Sequence, residues 1–332
     1  MSDRLSRRQF LGAATAGAAL AAEPSPGPED ASKSLPTRVL GRTGAQVTIL
    51  AMGCGSRLLS YENADAAGAA LNLAFDSGVR YFDSAFGYGN GKSETWVGQA
   101  LKARRKEIFL VTKINARDGD EARRILDASM KRLQTDHVDL IHIHSLLGDD
   151  DLAKVEAKGG PLDVLYKLRD QKVTRFIGIT SHTDPVTLKT AIERHDIDCV
   201  QMALNAALQG MRDGKGKMVL NSAMKTSFEH VALPAARKKN LGILAMKVMG
   251  QEDLLGSGSA KGDPAKLLQY TLSLPVAAAV VGMPKPEFVR QNVAWARAFK
   301  PMPRGEMKDF SHRLADANKV ALDLKFRDHI DS

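Results

Sequence analysis

Four side chains of types that can move a proton fall within one stretch of the sequence: Asp83, Tyr88, Lys113 and His144. A phenol has a pKa of about 10 in water, which is high for an acid at neutral pH, but a neighbouring ammonium lowers that value. Lys113 is the candidate ammonium, and Asp83 would keep it charged and oriented. A neutral His144 would hydrogen-bond a substrate oxygen. This set can protonate a carbonyl oxygen while hydride arrives at the carbonyl carbon.

The four residues lie at or just after the ends of short apolar runs with strand-like composition. Taken singly, each also fits a structural role, as an ion pair, a packed tyrosine or a hydrogen-bonded histidine. The strand-like runs are at 47–52, 79–83, 108–113, 138–144, 176–180, 199–203, 242–246 and 277–281. Amphipathic, helix-like windows follow them at 64–76, 93–103, 120–133, 161–170, 185–194, 230–239, 264–273 and 286–298.

Eight strands, each followed by a helix, predict a parallel sheet and favour a closed (β/α)8 TIM barrel over an open doubly wound sheet. No GxGxxG follows the first strand, which weakens the Rossmann alternative. Helix starts are indicated by Ser93 with Glu94, by Asp184 before Pro185, and by Asp263 before Pro264. The segment VLGRTGAQVTIL predicts an N-terminal β-hairpin that closes the bottom of the barrel.

Chemistry in such a barrel lies at the carboxyl ends of the strands. Further polar or conformationally special residues fall there: Ser181 and His182 after the fifth strand, Gln201 in the sixth, Lys247 after the seventh and Gly282 after the eighth. Strand ends are often polar, so the agreement among them carries more weight than any one residue.

Composition excludes several classes of protein. The chain has 332 residues and a net charge of +9, but its basic residues are scattered, which argues against nucleic acid as a partner. With only Cys54 and Cys199, neither a disulfide framework nor a cysteine zinc cluster can form. One bridge is arithmetically possible, but both cysteines lie in apolar runs, which favours buried free thiols.

The first residues have the features of an export signal. Arg7 and Arg8 precede a short run rich in alanine and glycine, and Ala19-Leu20-Ala21 fits a cleavage site. The run is too short and weakly apolar for a stable membrane span. We therefore expect a twin-arginine (Tat) signal at 1–22, the Tat export machinery as a partner and a periplasmic or otherwise exported protein, with an amphipathic or disordered N-terminus as the alternative.

The remaining boundaries follow from the change in composition. A linker rich in proline and serine is expected at 23–37, the barrel at 38–298 and a C-terminal tail at 299–332.

At the proton-moving residues the sequence resembles the aldo-keto reductase family. FDSAFGYG, from Phe82 to Gly89, is similar to the family's Asp-x4-Tyr signature, VTK ends in Lys113, and His144 follows Asp139 in DLIHIH at the family spacing. LGRTG, GCGS, GITSH, CVQ and VVGMPKPEFVRQN follow in family order. The resemblance covers roughly residues 38–298.

The resemblance implies an NAD(P)H-dependent oxidoreductase acting on a small carbonyl or alcohol, with NADP(H) as cofactor more often than NAD(H). Tyr88 would be the general acid in reduction, tuned by Lys113 with support from Asp83, and His144 would orient the substrate. Ser181, His182 and Gln201 would hold the nicotinamide carboxamide. The other implied cofactor-binding residues are Gly55, Ser56, Met246, Lys247, Gly282, Met283, Lys285, Gln291 and Asn292.

Three positions depart from the family pattern. His182 stands where asparagine is usual, Met246 aligns with an aromatic residue that stacks on nicotinamide, and Phe288 aligns with an arginine that binds a 2′-phosphate. Methionine packs softly rather than stacking flat. Lys285 is a substitute point charge for the 2′-phosphate.

Two other functions compete with catalytic reduction. One is a cofactor-bound sensor or regulatory protein of the same fold, favoured mildly by the export signal. The other is a metal-dependent barrel hydrolase or isomerase, for which only the pair His142 and His144 speaks. We expect no metal site and a His142 packed inside the barrel.

Substrate choice is expected to depend on long loops at 145–160, 204–229 and 250–263, and on the tail after 298. In the second loop, Met211, Met218, Met224 and Phe228 would form either an apolar lid or a surface loop packed on the barrel.

Overall fold

The computed structural model of the protein describes residues 34–215 and 217–319. The predicted signal at 1–22, most of the predicted linker at 23–37, and residues 320–332 of the predicted tail lie outside the described residues.

The described strands are β1 (Thr37–Val39), β2 (Gln46–Thr48), β3 (Leu50–Gly53), β4 (Tyr81–Asp83), β5 (Phe109–Ile114), β6 (Val138–Ile143), β7 (Thr174–Ser181), β8 (Cys199–Ala203), β9 (Met211–Asp213), β10 (Met218–Leu220), β11 (Gly242–Met246) and β12 (Ala278–Gly282). Eight of them, from β3 to β8 with β11 and β12, pair in parallel and close into a barrel. The predicted (β/α)8 barrel is confirmed.

The described helices are α1 (Ala64–Asp76), α2 (Lys92–Leu101), α3 (Gly119–Leu133), α4 (Asp149–Val155), α5 (Pro161–Asp170), α6 (Pro185–Arg194), α7 (Phe228–Lys238), α8 (Pro264–Ser273), α9 (Pro286–Arg297) and α10 (Arg304–Asn318). The predicted helix windows agree to within two residues at each end. One predicted strand is wrong in detail, because the chain bends at Ile49 and divides the expected 47–52 strand into β2 and β3.

Helix starts follow local hydrogen bonding. The Asp184 carboxylate accepts from the backbone N–H groups of α6, and the Asp263 carboxylate does the same for α8, as predicted. The prediction for Ser93 is wrong. Helix α2 begins one residue earlier, after Gly91, and the Ser93 hydroxyl donates instead to the carbonyl of Cys54 at 2.6 Å.

The inside of the barrel is packed with apolar side chains. Tyr81 stacks on Phe109 with ring centroids 5.0 Å apart, and Phe109 stacks on Phe176 at 6.2 Å. Leu40 and Val47, from the predicted hairpin of β1 and β2, belong to the same buried cluster. The hairpin therefore closes the end of the barrel where the strands begin.

The hairpin needs a glycine and an arginine to take this position. Gly41 has φ +50°, and a Cβ there would lie 2.3 Å from the backbone carbon of Leu241, so no larger residue fits. Arg38 donates to the carbonyls of Val276 at 2.7 Å and Leu272 at 2.8 Å. The first described strand is thereby tied to the last unit of the barrel.

Three elements lie in regions for which no helix or strand was predicted. Helix α4 lies in the 145–160 loop, the hairpin of β9 and β10 lies in the 204–229 loop, and α10 lies in the expected tail. Both cysteines are buried free thiols, as predicted.

Helix α10 packs on the barrel beside a buried acid. Phe310 contacts the ring of Tyr270, whose hydroxyl lies 3.0 Å from each carboxylate oxygen of Glu229. Burial raises the pKa of Glu229 to about 7, and the Tyr270 hydrogen bond and the charge of Lys319 only partly oppose this. The folded protein therefore holds the Glu229 proton more tightly than the unfolded chain does.

This proton makes stability depend on pH. Because the pKa of Glu229 is about 7 in the folded state, against an ordinary value of 4.5, the free energy of unfolding should fall as pH rises from about 4.5 to about 7. Glu229→Gln removes this contribution, which is roughly 3 kcal/mol. Thermal unfolding from pH 5 to pH 8 should show the variant gaining stability relative to the wild type. Glu306→Gln, on exposed α10 surface, is the control, and parallel curves for Glu229→Gln and wild type would contradict the assignment.

Candidate active site

A cavity of about 860 Å³ opens at the carboxyl ends of the barrel strands. Of the residues predicted for the site, its walls include Gly55, Ser56, Asp83, Tyr88, His144, His182, Gln201, Met246, Lys247, Gly282, Gln291 and Asn292. Four others do not line it: Lys113, Ser181, Met283 and Lys285. The structure thus brings together residues more than 200 positions apart in the chain.

Lys113 and Asp83 form a buried ion pair beneath the cavity. The Lys113 ammonium donates to Asp83 Oδ1 and, at 2.7 Å, to the carbonyl of Ser84. Burial opposes the charge of Lys113, but Asp83 and Tyr88 outweigh it, so the pKa of Lys113 is raised. Lys113 therefore keeps its proton and its charge.

Tyr88 lies above this pair. The Lys113 nitrogen is 5.1 Å from the centre of the Tyr88 ring, and the ring rests against Gly55, where an added Cβ would be 3.4 Å away. Burial raises the pKa of Tyr88 more than Lys113 lowers it. Lys113 therefore acts in the predicted direction, but burial outweighs it, and Tyr88 is held as a protonated phenol.

His144 completes the group. Its ring meets the Tyr88 ring edge-on, with centroids 5.5 Å apart. Burial, with the charges of Lys113, Lys247 and Arg117, lowers the pKa of His144 to about 3. The imidazole is therefore neutral at physiological pH and keeps one N–H for hydrogen bonding.

Arg117 hydrogen-bonds to the backbone at His144. This residue was not among those predicted for the site. Its Nη2 donates to the carbonyls of His144 at 3.0 Å and Ser145 at 3.1 Å, while Nε and Nη2 bind Asp151 at 2.7 and 2.8 Å. Ser145 has φ +55°, a left-handed conformation that is rare outside glycine. Its N–H donates to Thr180 Oγ1 at 2.8 Å. No local motif marks Arg117, because its partners lie in other loops.

A second buried network supports Asp83 from the side of α2. Ser93 and Ser84 share a hydrogen bond at 2.8 Å. Glu94, fully buried, accepts from Thr112 and pairs with Arg132 at 2.9 Å. Ser93 and Glu94, which were predicted to mark a helix start, therefore connect α2 to the end of β4 and to β5.

Besides Asp83 Oδ2, three buried polar atoms of residues in the cavity wall have no hydrogen-bond partner among the described residues. They are Gln201 Oε1, His182 Nδ1 and Asn292 Oδ1. Buried polar groups normally have partners, so unpaired ones in a cavity indicate a polar ligand. Gln201 lies on β8 and Asn292 on α9, the helix that follows β12, so the unpaired atoms are spread along one wall of the cavity, which fits an elongated ligand with polar groups at both ends.

The remaining predicted cofactor residues take other positions. The Ser181 hydroxyl is buried and donates to the carbonyl of Leu146 at 2.8 Å. Met283 is packed in the core, and the Lys285 side chain, at the start of α9, is exposed. Met246 lines the cavity, and so does Phe288, which is 38% exposed.

The 204–229 loop contributes one residue to the cavity. Met218, on β10, lines it, whereas Met211, Met224 and Phe228 are buried against the barrel. Of the two alternatives, a loop packed on the barrel therefore describes Met211, Met224 and Phe228, and only Met218 faces the cavity. The three buried residues are anchors that hold the hairpin carrying Met218.

His142 is fully buried inside the barrel, as predicted. It fits there because Gly178 leaves room, since a Cβ on Gly178 would lie 2.5 Å from His142 Nδ1. Across residues 34–215 and 217–319 no group of three or more histidine, cysteine or acidic residues is arranged to hold a metal ion. In the same ranges, no helix has both the length and the apolar character needed to cross a bilayer.

Comparisons with known proteins agree with this geometry. Residues 51–271 match the model of the Aldo/keto reductase family. Pyridoxal 4-dehydrogenase of Microbacterium luteolum is 27% identical to the chain over 330 residues, covering 79% of this chain and 93% of that protein.

Two solved structures share the fold. An aldo-keto reductase from Bacillus halodurans in its holo form superposes with a TM-score of 0.68 at 20% identity, covering 89% of this chain and all of that one. An aldo-keto reductase from Klebsiella pneumoniae in complex with NADPH gives 0.64 at 19% identity, covering 85% and 96%.

Proposed function

The chain belongs to the aldo/keto reductase family and is an NAD(P)-dependent oxidoreductase, and we propose that it reduces an aldehyde or ketone, or oxidises the alcohol, with Tyr88 as the acid and base. The observation that carries this proposal is the contact set of Tyr88. The phenol lies between the charged Lys113 below it and the neutral His144 beside it, all at the base of one cavity.

Each side chain has a distinct part in the proposed reaction. A reduced nicotinamide, when bound, supplies the hydride to the carbonyl carbon. Tyr88 donates its proton to the carbonyl oxygen as charge develops there, and the Lys113 ammonium stabilises the phenolate that Tyr88 becomes. Asp83 keeps Lys113 charged and in place. His144, being neutral, donates a hydrogen bond to the same oxygen and orients the carbonyl.

The cavity wall suits a dinucleotide cofactor. Gln201 Oε1 is an unpaired acceptor near the catalytic group and would take an amide N–H of the nicotinamide carboxamide, with His182 beside it. Asn292 Oδ1 would take an amino group of the adenine. Gly55, Ser56, Met246, Gly282 and Gln291 complete this wall.

We propose NADP(H) as the preferred cofactor, with NAD(H) also accepted. Lys285 is the one family-aligned cation at the start of α9, and its ammonium is 4.0 Å from Glu287, too far for a firm ion pair. It is thus able to approach a 2′-phosphate, although Phe288 leaves the site without the usual arginine.

Replacing the phenol tests the catalytic proposal. Tyr88→Phe removes the proton donor without changing shape, so kcat/KM for reduction of an aldehyde panel should fall at least about a hundredfold. The Kd for NADPH, from fluorescence titration, should stay within about twofold. Tyr166→Phe, on the outer face of α5, is the matched control. Retention of most activity by Tyr88→Phe would contradict the assigned role.

We also propose that the protein is exported folded by the twin-arginine route. The support is sequence alone: Arg7 and Arg8 before a short, weakly apolar run. Because a folded passenger can carry a bound cofactor, a nicotinamide enzyme suits this pathway.

Conservative replacement of the arginine pair tests the route. Arg7→Lys with Arg8→Lys should leave the protein in the cytoplasm of a host that has twin-arginine export, measured by cell fractionation. Arg4→Lys is the control and should be exported normally. Export of the double variant at the wild-type level would show that the segment has been misread.

A further inference from the structure

The charged groups around the cavity include one more positive charge than negative charges. Asp83 is paired with Lys113, and Arg57 binds Glu252 with its Nε 3.1 Å from Oε1. Lys247 also lines the cavity, and within the described residues its ammonium has no hydrogen bond and no ion pair. One positive charge therefore faces the cavity without a protein partner.

Lys247 stands close to the reacting groups. It follows β11 in a left-handed conformation, with φ +61°, which turns the chain at the mouth of the barrel. Its charge lowers the pKa of both His144 and His182, and it acts on Asp83 as well. Burial and the charges of Lys113 and Arg57 lower the pKa of Lys247 to about 8, so the side chain is mostly charged at neutral pH.

An unpaired ammonium in a partly dry cavity is costly, and an anionic ligand offsets that cost. We propose that the substrate of this enzyme is a carbonyl compound that carries a carboxylate, and that Lys247 binds the carboxylate while Tyr88 and His144 engage the carbonyl. This inference rests on the proposed function and adds the substrate class.

The phosphates of the cofactor are the competing partner for Lys247, because the family resemblance implies that Lys247 is a cofactor-binding residue. Arg57, which is paired with Glu252, is a second cation in the cavity wall available to them. Its side-chain stem packs on Gly282, where an added Cβ would lie 2.7 Å from Arg57 Cγ, on the side of the cavity that leads to α9. Lys247 is close enough to act on His144 and His182, the groups around Tyr88, and is itself affected by the charge of Arg57.

Substrates that differ only in charge test the proposal. Glyoxylate, succinic semialdehyde and 4-carboxybenzaldehyde would each be compared with its methyl ester, using wild type, Lys247→Met and Lys247→Arg. For at least one pair, the wild type should favour the acid by at least about tenfold in kcat/KM, as a charge-assisted hydrogen bond provides. Lys247→Met should abolish this preference and Lys247→Arg should retain part of it. The surface variant Lys189→Met should behave as wild type.

Two results would overturn the inference. One is no acid preference in the wild type for any pair. The other is a Lys247→Met variant that binds NADPH much more weakly and keeps the acid preference, because the ammonium would then serve the cofactor phosphates.

A binding measurement separates this inference from the proposed function. If no carbonyl is reduced, the proposed function fails, but Trp295 in the cavity wall still reports binding through its fluorescence. Benzoate should then bind more tightly than benzamide to the wild type and not to Lys247→Met. Equal binding of the two compounds to the wild type would overturn the carboxylate site itself.

A second inference comes from the hydrogen bonds of Arg117. We infer that Arg117 is a positioning residue for His144, since it binds the His144 and Ser145 carbonyls and anchors them to Asp151. It also acts through charge, being one of the cations that lower the pKa of His144. Its loss would release the strained turn at Ser145 and weaken the preference for a neutral imidazole.

The chain offers a matched control at the other end of the barrel. Arg105 likewise joins a buried carboxylate, Asp139 at 2.9 Å, to two backbone carbonyls, those of His137 and Ile108 at 3.2 Å. Both pairs are mostly buried, so removal of either arginine should cost comparable stability.

The two arginines should differ in catalysis. Arg117→Gln should lower kcat by at least about tenfold, move the acid limb of the kcat profile to higher pH and recover in part with added guanidinium. Arg105→Gln should lower the melting temperature without these changes. Equal effects of the two variants on kcat at a temperature where both are folded, with no change in the pH profile, would reduce Arg117 to a structural role.

Discussion

The buried pair of Lys113 and Asp83 is the interaction on which the site depends. A lone ammonium inside a barrel would lose its proton, and a lone carboxylate would gain one, because burial disfavours either charge. Together, and with the Ser84 carbonyl as a third partner, they offset part of that cost: burial raises the pKa of Asp83 and Lys113 opposes this rise, while Asp83 raises the pKa of Lys113. In the proposed reaction the charge of Lys113 stabilises the phenolate that Tyr88 becomes, so the chemistry would depend on this buried ion pair.

The barrel supplies the geometry that this pair requires. Neighbouring parallel strands place Asp83 at the end of β4, in register with Val111, and Lys113 two residues further along β5. The next strand, β6, delivers His144 one residue after its last member. Three consecutive strands therefore carry the catalytic group, while β8, β11, β12 and α9 build the opposite wall, where the cofactor is proposed to lie. The proposed catalytic residues and the proposed cofactor-binding residues therefore lie on different sides of the barrel.

Periodicity and turn chemistry were sufficient to predict the barrel, since the strand 242–246 is apolar and followed by Lys247, and the strand 199–203 is apolar except for Gln201. The grouping of Asp83, Tyr88, Lys113 and His144 was predictable because parallel strands end at a common edge. What could not be predicted depends on contacts between distant loops or on competition between opposing effects. The hydrogen bonds of Arg117 to the backbone at His144 depend on contacts between distant loops. The net pKa of Tyr88 depends on such a competition, because burial and Lys113 act in opposite directions. Ser93 shows a third limit, since a hydroxyl suited to a helix start found a stronger partner in the carbonyl of Cys54.

The hydrogen bonds of Arg38 can form only late in the synthesis of the chain. Arg38 binds the carbonyl of Val276, a partner 238 residues further along the chain, and β3 can close the ring only by pairing with β12. The leading segment thus leaves the ribosome long before its barrel can exist. Because the ring cannot close until β12 has been made, the barrel is completed only after nearly all of its sequence has been synthesised.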